Sequence, residues 1–192
     1  MTKEEQIRQE CWDKAIHTIG TSYVFSLKAN TYKKRIKIIT ALGVVAPLLL
    51  GATVAAFGLN SKLSSFILLV AAPVTIFQIV FSGISLVYKW DDLFSYSLES
   101  QTDNRIISDD FQNLGKYSAT DISELEKQFE VLKARDNART VQDEKINFSG
   151  KDKRRGMRYA LWLRQRECTT CKKIPPSIKP TSCEFCDTCG NF

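Results

Sequence analysis

The chain has 192 residues, a formal net charge of +6 and a content of 44% apolar residues, enough for one modest domain with appendages. Its mean hydropathy of −0.18 is close to neutral, but residues 38–59 and 63–88 contain no charged side chain at all. That segregation excludes a single soluble globular domain of even composition.

The N-terminus, Met1–Gln6, is charged and lacks an apolar stretch with a small-residue cleavage site, so no removable signal peptide is expected. Over residues 3–28, Ile7, Cys11, Ala15, Ile16, Ile19, Tyr23 and Leu27 recur mostly at three- and four-residue steps. This is the apolar stripe of an amphipathic helix, and it defines a cytoplasmic N-terminal segment, 1–37. Cys11 belongs to the stripe and reads as a small buried hydrophobe rather than a catalytic thiol. His17, the single histidine, has no acid or nucleophile beside it in the pattern and reads as a helix-surface residue.

Residues 38–59 and 63–88 read as two membrane-crossing helices, a transmembrane hairpin over 38–88. The first has 22 residues and would extend roughly 33 Å, enough for the hydrocarbon core. Only Asn60, Ser61 and Lys62 separate the two. The alternative is a pair of buried helices in a soluble bundle, but such helices usually carry a polar residue or a charge every few positions, and two adjacent charge-free runs of this length are rare in soluble folds. Lys28, Lys33, Lys34, Arg35 and Lys37 precede the first run and Lys89 follows the second, while the turn has only Lys62. The positive-inside rule therefore places both long flanks in the cytoplasm and the turn outside.

Gly51 with Ala55 and Ala52 with Ala56 are small-residue pairs that let helix backbones approach, and Pro47 and Pro73 are positions where the spans can kink. Gln78 falls near mid-membrane, where an unpaired amide is costly. Two readings stand for it: an oligomer seam or pore lining together with Gly51 and Ala55, or ordinary packing inside the hairpin. Two helices cannot enclose an aqueous path, so any conduction requires a homo-oligomer.

Cytoplasmic helices are expected over 89–146. The second span is expected to run on through Trp90, Phe94 and Leu98, and Gly115 to mark a break. Asp121, three residues before Glu124, has the pattern of a helix N-cap. Ile122, Leu125, Phe129 and Leu132 then form a short stripe suited to pairing with the N-terminal helix. Residues 147–166 read as a linker, Asn147–Asp152, followed by a basic helix, Lys153–Arg166. That helix suits nucleic acid, anionic lipid or an acidic helix; the simpler reading is a solvated basic face anchored by Tyr159, Trp162 and Leu163.

Residues 167–192 hold five of the six cysteines. Cys168-x2-Cys171 and Cys183-x2-Cys186 can set four thiolates at the corners of a tetrahedron, as structural zinc requires. Cys186-x2-Cys189-Gly190 is a second way to form the second pair. Cys168, Cys171 and Cys186 are ligands either way, and the fourth is Cys183 or Cys189. The clustering points to metal in a reducing compartment rather than to a secreted disulfide framework. A thioredoxin-like βαβ unit and a ferredoxin-like cysteine pattern are both absent from the sequence, so zinc leads over redox and iron–sulfur readings.

The spacing Cys168-x2-Cys171-x11-Cys183-x2-Cys186 resembles that of the mobilome CxxCx(11)CxxC proteins of bacterial mobile elements, and this resemblance favours Cys183 as the fourth ligand. The hairpin with flanking cytoplasmic helices, residues 1–145, resembles the two-transmembrane effectors associated with SMODS and SLOG systems (the SLATT class). The fold so implied is mainly α: a transmembrane hairpin, cytoplasmic helices and a small C-terminal zinc-ribbon-like knuckle. The implied role is antiviral defence or mobile-element conflict, with a nucleotide-signalling or other defence partner triggering an oligomer that permeabilises the membrane. The alternative is a membrane-tethered zinc-ribbon adaptor that recruits protein or nucleic acid. No Ser/His/Asp set, phosphate loop or HExxH occurs in the sequence, so no enzymatic activity is expected.

Overall fold

The structure, a computed structural model, describes residues 2–57, 62–116, 121–180, 189–190 and 192. Among them the chain is mainly α: α1 (Lys3–Phe57), α2 (Lys62–Val87), α3 (Trp90–Lys116), α4 (Ile122–Asp143) and α5 (Gly150–Arg164), with no strand among the described residues.

Two boundaries differ from the sequence expectation. The N-terminal amphipathic helix and the first apolar run are one uninterrupted helix, α1. Nothing between Leu27 and Ile38 breaks it: that stretch has no Gly or Pro, and its lysines and arginine are good helix formers. The second run does not continue through Trp90. It ends at Val87, and Lys89 takes a left-handed φ of 48° before α3 begins. Gly115 lies in the last turn of α3, one residue before its end at Lys116. Pro47 and Pro73 both lie inside their helices. The turn between the two apolar runs lies outside the described residues except for Lys62.

The chain forms two compact units. The first comprises Met1–Leu27 and Ser97–Phe192. Its core joins Ile7, Cys11 and Ala15 of α1 to Ile107 and Phe111 of α3 and Leu125 and Phe129 of α4, with Leu114 and Leu132 alongside. The predicted stripes on α1 and α4 therefore meet as expected. Asp121 caps α4, its carboxylate accepting from the Ser123 N–H. The full reciprocal capping box forms instead at α5, between Ser149 and Asp152.

Polar groups fasten the same helices. Ser108 Oγ donates to the Ala15 carbonyl at 2.8 Å and Ser22 Oγ to that of Gln101 at 2.7 Å. Arg139 reaches Glu99 and Asp103 at 2.9 Å and the buried Asp143 at 3.1 Å. Asp143 also accepts from Asn104 at 2.6 Å and from Ser100. Buried charge is tolerated only when paired and hydrogen-bonded in this way.

Helix α5 lies directly on α1. A Cβ added at Gly156 would meet the Gly20 carbonyl oxygen at 2.7 Å and Val24 Cγ2 at 2.9 Å. One added at Gly20 would meet the Gly156 carbonyl oxygen at 3.0 Å. Beside this backbone contact the rings of Tyr23 and Tyr159 stack, with centroids 3.9 Å apart and planes at 7°.

The second unit is Lys28–Tyr96. Its apolar side chains face outward: Leu48 is 65% exposed, Leu69 73%, Ile79 67% and Leu86 78%. Within this unit α1 and α2 touch where the Gln78 amide nitrogen sits 3.0 Å from the site of a Cβ on Gly43. The Arg35 guanidinium lies 5.1 Å above the Trp90 ring. Within α1, Lys3–Ala56 contains an 18-residue window of mean hydropathy 2.2, none of it buried, apolar and long enough to cross a membrane. A second crossing among the described residues counts only if Ala71–Val87 is taken together with Trp90–Lys116 across the break.

Gly156→Ala is expected to lower the stability of the first unit by about 1–3 kcal/mol, because the added methyl meets backbone that cannot turn aside. Gly51→Ala, with nothing within 4 Å of its added Cβ, is expected to be neutral or slightly stabilising. Denaturant unfolding of the two variants in one detergent compares them directly; equal stabilities would remove the close contact from the account.

Candidate metal centre

The end of α5 sets up the cysteine loop. The Arg166 N–H donates to the Leu161 carbonyl at 3.0 Å and the Gln165 N–H to that of Trp162 at 3.4 Å. Gln165 is left-handed, with φ 50° and ψ 45°. This is the Schellman pattern, with glutamine at a position that usually takes glycine. It turns the chain back so that Cys168 arrives beneath the helix that has just ended.

From there the loop closes on itself. The Lys172 N–H donates to the Cys168 carbonyl at 2.8 Å, and the Cys168 N–H donates to the Lys173 carbonyl at 3.0 Å. Lys172, immediately after Cys171, is left-handed at φ 53°. A CxxC loop folded this way directs both thiols to one side.

The Sγ atoms of Cys168, Cys171 and Cys189 all lie within 4.8 Å of one another. Cys168 and Cys189 are buried and Cys171 half-buried. They pack with Leu161, Ile16 and Met157. Thiolates around a tetrahedral metal with bonds of about 2.3 Å stand about 3.8 Å apart, so a small closure brings these three onto one ion. The donor set, soft sulfur on a short loop, suits a metal ion and fits the group that the spacing implies. Cys183 and Cys186, the second expected pair, lie outside the described residues, and Cys189 is the alternative ligand that the structure brings to the first pair.

The other expected site residues are placed as follows. Gln78 is half-buried against Gly43. Gly51 and Ala55 are exposed. Cys11 is fully buried in the helical core, and burial pushes its thiol from 9.0 up to about 11, with Glu10 adding to the rise and Arg8 opposing it. His17 is exposed on α1. Cys11 and His17 thus sit where the sequence puts them, as core and surface residues.

The basic helix departs from its simpler reading as a solvated face. Arg158 is 2% exposed, with Nε donating to the Ser177 carbonyl and one terminal nitrogen to the Cys189 carbonyl, both at 2.9 Å. Arg164 turns to α3, bonding Gln112, Ser108 and Asp109. Arg166 lies 5.0 Å above the Trp12 ring and Arg155 5.2 Å above that of Phe192. Composition gave no sign of which arginine is buried. The one available signal is the step from Arg158 to Leu161, which sets both on the face of α5 turned to the cysteines.

Residues 8–192 match the mobilome CxxCx(11)CxxC proteins. The chain belongs to this family. Comparison with curated proteins and with solved structures gives no significant match. The match spans the helices as well as the cysteines, so the helical unit and the knuckle are parts of one family architecture.

Thiol chemistry separates the two classes of cysteine. In the folded protein near neutral pH, a chelator should open the tail cysteines to alkylation while Cys11 stays unmodified until denaturant is added. The neutral Cys11 thiol is favoured by folding. Its contribution to stability is therefore present below the unfolded pKa of 9.0 and lost as pH rises toward 11. The stability gap between wild type and Cys11→Ala should shrink by about 2 kcal/mol over that interval. A gap independent of pH there would contradict the assignment.

Proposed function

We propose that this member of the family is a membrane-embedded effector of a mobile-element conflict or phage-defence system, which oligomerises and permeabilises the bacterial inner membrane on a cytoplasmic signal. The observation that carries this reading is the outward display of large apolar side chains by the unit Lys28–Tyr96, whereas the other unit has its own apolar core. Water opposes such a surface and a bilayer accepts it.

The membrane hairpin is part of this proposal. Gly43 and Gln78, which meet in the structure, are equally far along the chain from Asn60 and Ser61, the relation expected of antiparallel partners joined there. That contact supports intramolecular packing for Gln78 and leaves Gly51 and Ala55, with their exposed positions, as the seam between copies. Lys33, Lys34, Arg35, Lys37 and Lys89 are exposed and favour termini on the cytoplasmic side. On this reading the protein is not an enzyme but a signal-responsive SLATT-like assembly, and its trigger is a nucleotide-signalling or other defence partner.

The metal in the tail is proposed to be zinc, which four thiolates select in a reducing compartment. Cys168, Cys171 and Cys186 serve as ligands with Cys183 or Cys189 as the fourth, and the position of the Cys189 thiol supports Cys189. Engagement of Arg158 and Arg164 by the protein itself weighs against the nucleic-acid adaptor as the main role.

Two measurements test these readings separately. Purified protein should carry about one zinc per chain, and Cys171→Ser should lose most of it in elemental analysis; unchanged metal content would refute the site. Induced expression together with the operon neighbours should depolarise cells, and the protein in liposomes should release an entrapped dye. A Gly51→Leu change should weaken both. Intact potential and no leakage under activation would remove the effector reading in favour of the adaptor.

A further inference from the structure

We infer that Arg158 is a positioning residue for the thiolate cluster, the group that holds the return of the tail in register with the first CxxC loop. It is not itself a ligand, and the inference rests on the metal reading of the cysteines.

Between Cys171 and Cys189 the chain must leave the first knuckle, pass Pro175, Pro176 and Pro180, and come back. A segment of that length has many ways of failing to return. Arg158 touches it at two separated points. One guanidinium nitrogen bonds the Ser177 carbonyl on the way out and another bonds the Cys189 carbonyl on the way back, each at 2.9 Å. The guanidinium is planar and rigid, so the two acceptors are fixed relative to each other as well as to the helix. At 2% exposure the side chain has been taken out of water to do this. An arginine is seldom buried to that degree unless its donors are used.

Both bonds fall on backbone carbonyls and neither uses a thiol. Cys189 is thereby held by its carbonyl, with its thiol within 4.8 Å of Cys168 and Cys171. Outer groups that fix a ligand in this manner commonly change metal affinity when removed. Arg158 also sits two residues beyond Gly156, where α5 meets α1. The metal loop is thus referenced through one side chain to the innermost helix contact of the unit.

The test uses the full-length protein in detergent, with zinc affinity measured by competition against a chromogenic chelator. Arg158→Gln should weaken zinc binding about 10- to 100-fold while saturating zinc still reaches wild-type stoichiometry. Arg158→Lys keeps the charge and the apolar stem but cannot span both carbonyls, and should recover only part of the affinity. Arg164→Gln is the control: it removes contacts to α3, so it should lower thermal stability while leaving zinc affinity unchanged. Wild-type affinity in a folded Arg158→Gln protein would overturn the inference. If Arg158→Gln does not fold, Arg158→Lys decides, and wild-type affinity there would overturn the inference as well. An equal loss of affinity in Arg164→Gln would reduce Arg158 to general stabilisation and overturn it too. Failure of the wild type to bind zinc would instead overturn the metal reading and the inference with it.

Discussion

The contact between Gly20 and Gly156 sets the geometry on which the first unit depends. Two helices normally stand 8–10 Å apart because side chains lie between them; here carbonyl oxygens occupy the places where side chains would begin. Helix α5 is thereby seated on α1, and Tyr23 and Tyr159 are brought face to face. The consequence runs outward along α5. Arg158 lies one half-turn on, Leu161 less than one turn further, and the helix then ends in the turn that delivers Cys168. If α5 were displaced by the width of a methyl group, the cysteine loop would move with it.

The helices of this unit are held in two different ways. One layer is apolar, where Ile7, Cys11, Ile107, Phe111, Leu125 and Phe129 meet. The other is ionic, where Arg139 satisfies Asp143 while also reaching Glu99 and Asp103. The apolar layer supplies most of the stabilisation, since burial of side chains of this size contributes about 1.5–3 kcal/mol each. The ionic layer adds little net energy because desolvation offsets the attraction. Its effect is on specificity: a helix slipped by one residue would leave Asp143 or Arg139 without partners. Among the described residues of the tail, Cys168 and Cys189 pack with Leu161 and Arg158 holds the Ser177 and Cys189 carbonyls. A metal held by the thiols would couple its binding to the folding of the tail.

Much of this was legible in the sequence, and the failures have physical causes. The charge-free runs, the α1 and α4 stripes and the Asp121 cap were legible because each depends on local periodicity or on a side chain reacting with its own backbone. The continuity of α1 was missed because a change from amphipathic to wholly apolar composition looks like a boundary, whereas the backbone needs only an absence of breakers to continue. The end of α2 was missed for the opposite reason: Lys89 adopts a left-handed φ that its residue type does not announce. Gly20 and Gly156 are unremarkable among nine glycines until a partner helix is brought against them. Arg158 looked like its basic neighbours because burial is a property of the tertiary structure. In the tail, the first CxxC step picked out Cys168 and Cys171, which the structure brings together, but the choice between Cys183 and Cys189 turns on how the chain returns, which spacing alone does not fix.

The choice of arginine at the buried position suits the charge the tail would carry on the proposed metal reading. A divalent ion bound by four thiolates has a net negative charge, and placing it among Leu161, Ile16 and Met157 would be unfavourable without compensation. An apolar residue at 158 would pack more easily but would leave both the charge and the Ser177 and Cys189 carbonyls unanswered. A lysine would answer the charge with a mobile, strongly hydrated group. Arginine answers both demands with one rigid side chain. Its own desolvation is offset in part by the bonds to the two carbonyls, and a metal thiolate complex, on the proposed reading, would offset more. The arrangement would then be most favourable with metal present, which would couple the position of the tail on α5 to metal occupancy.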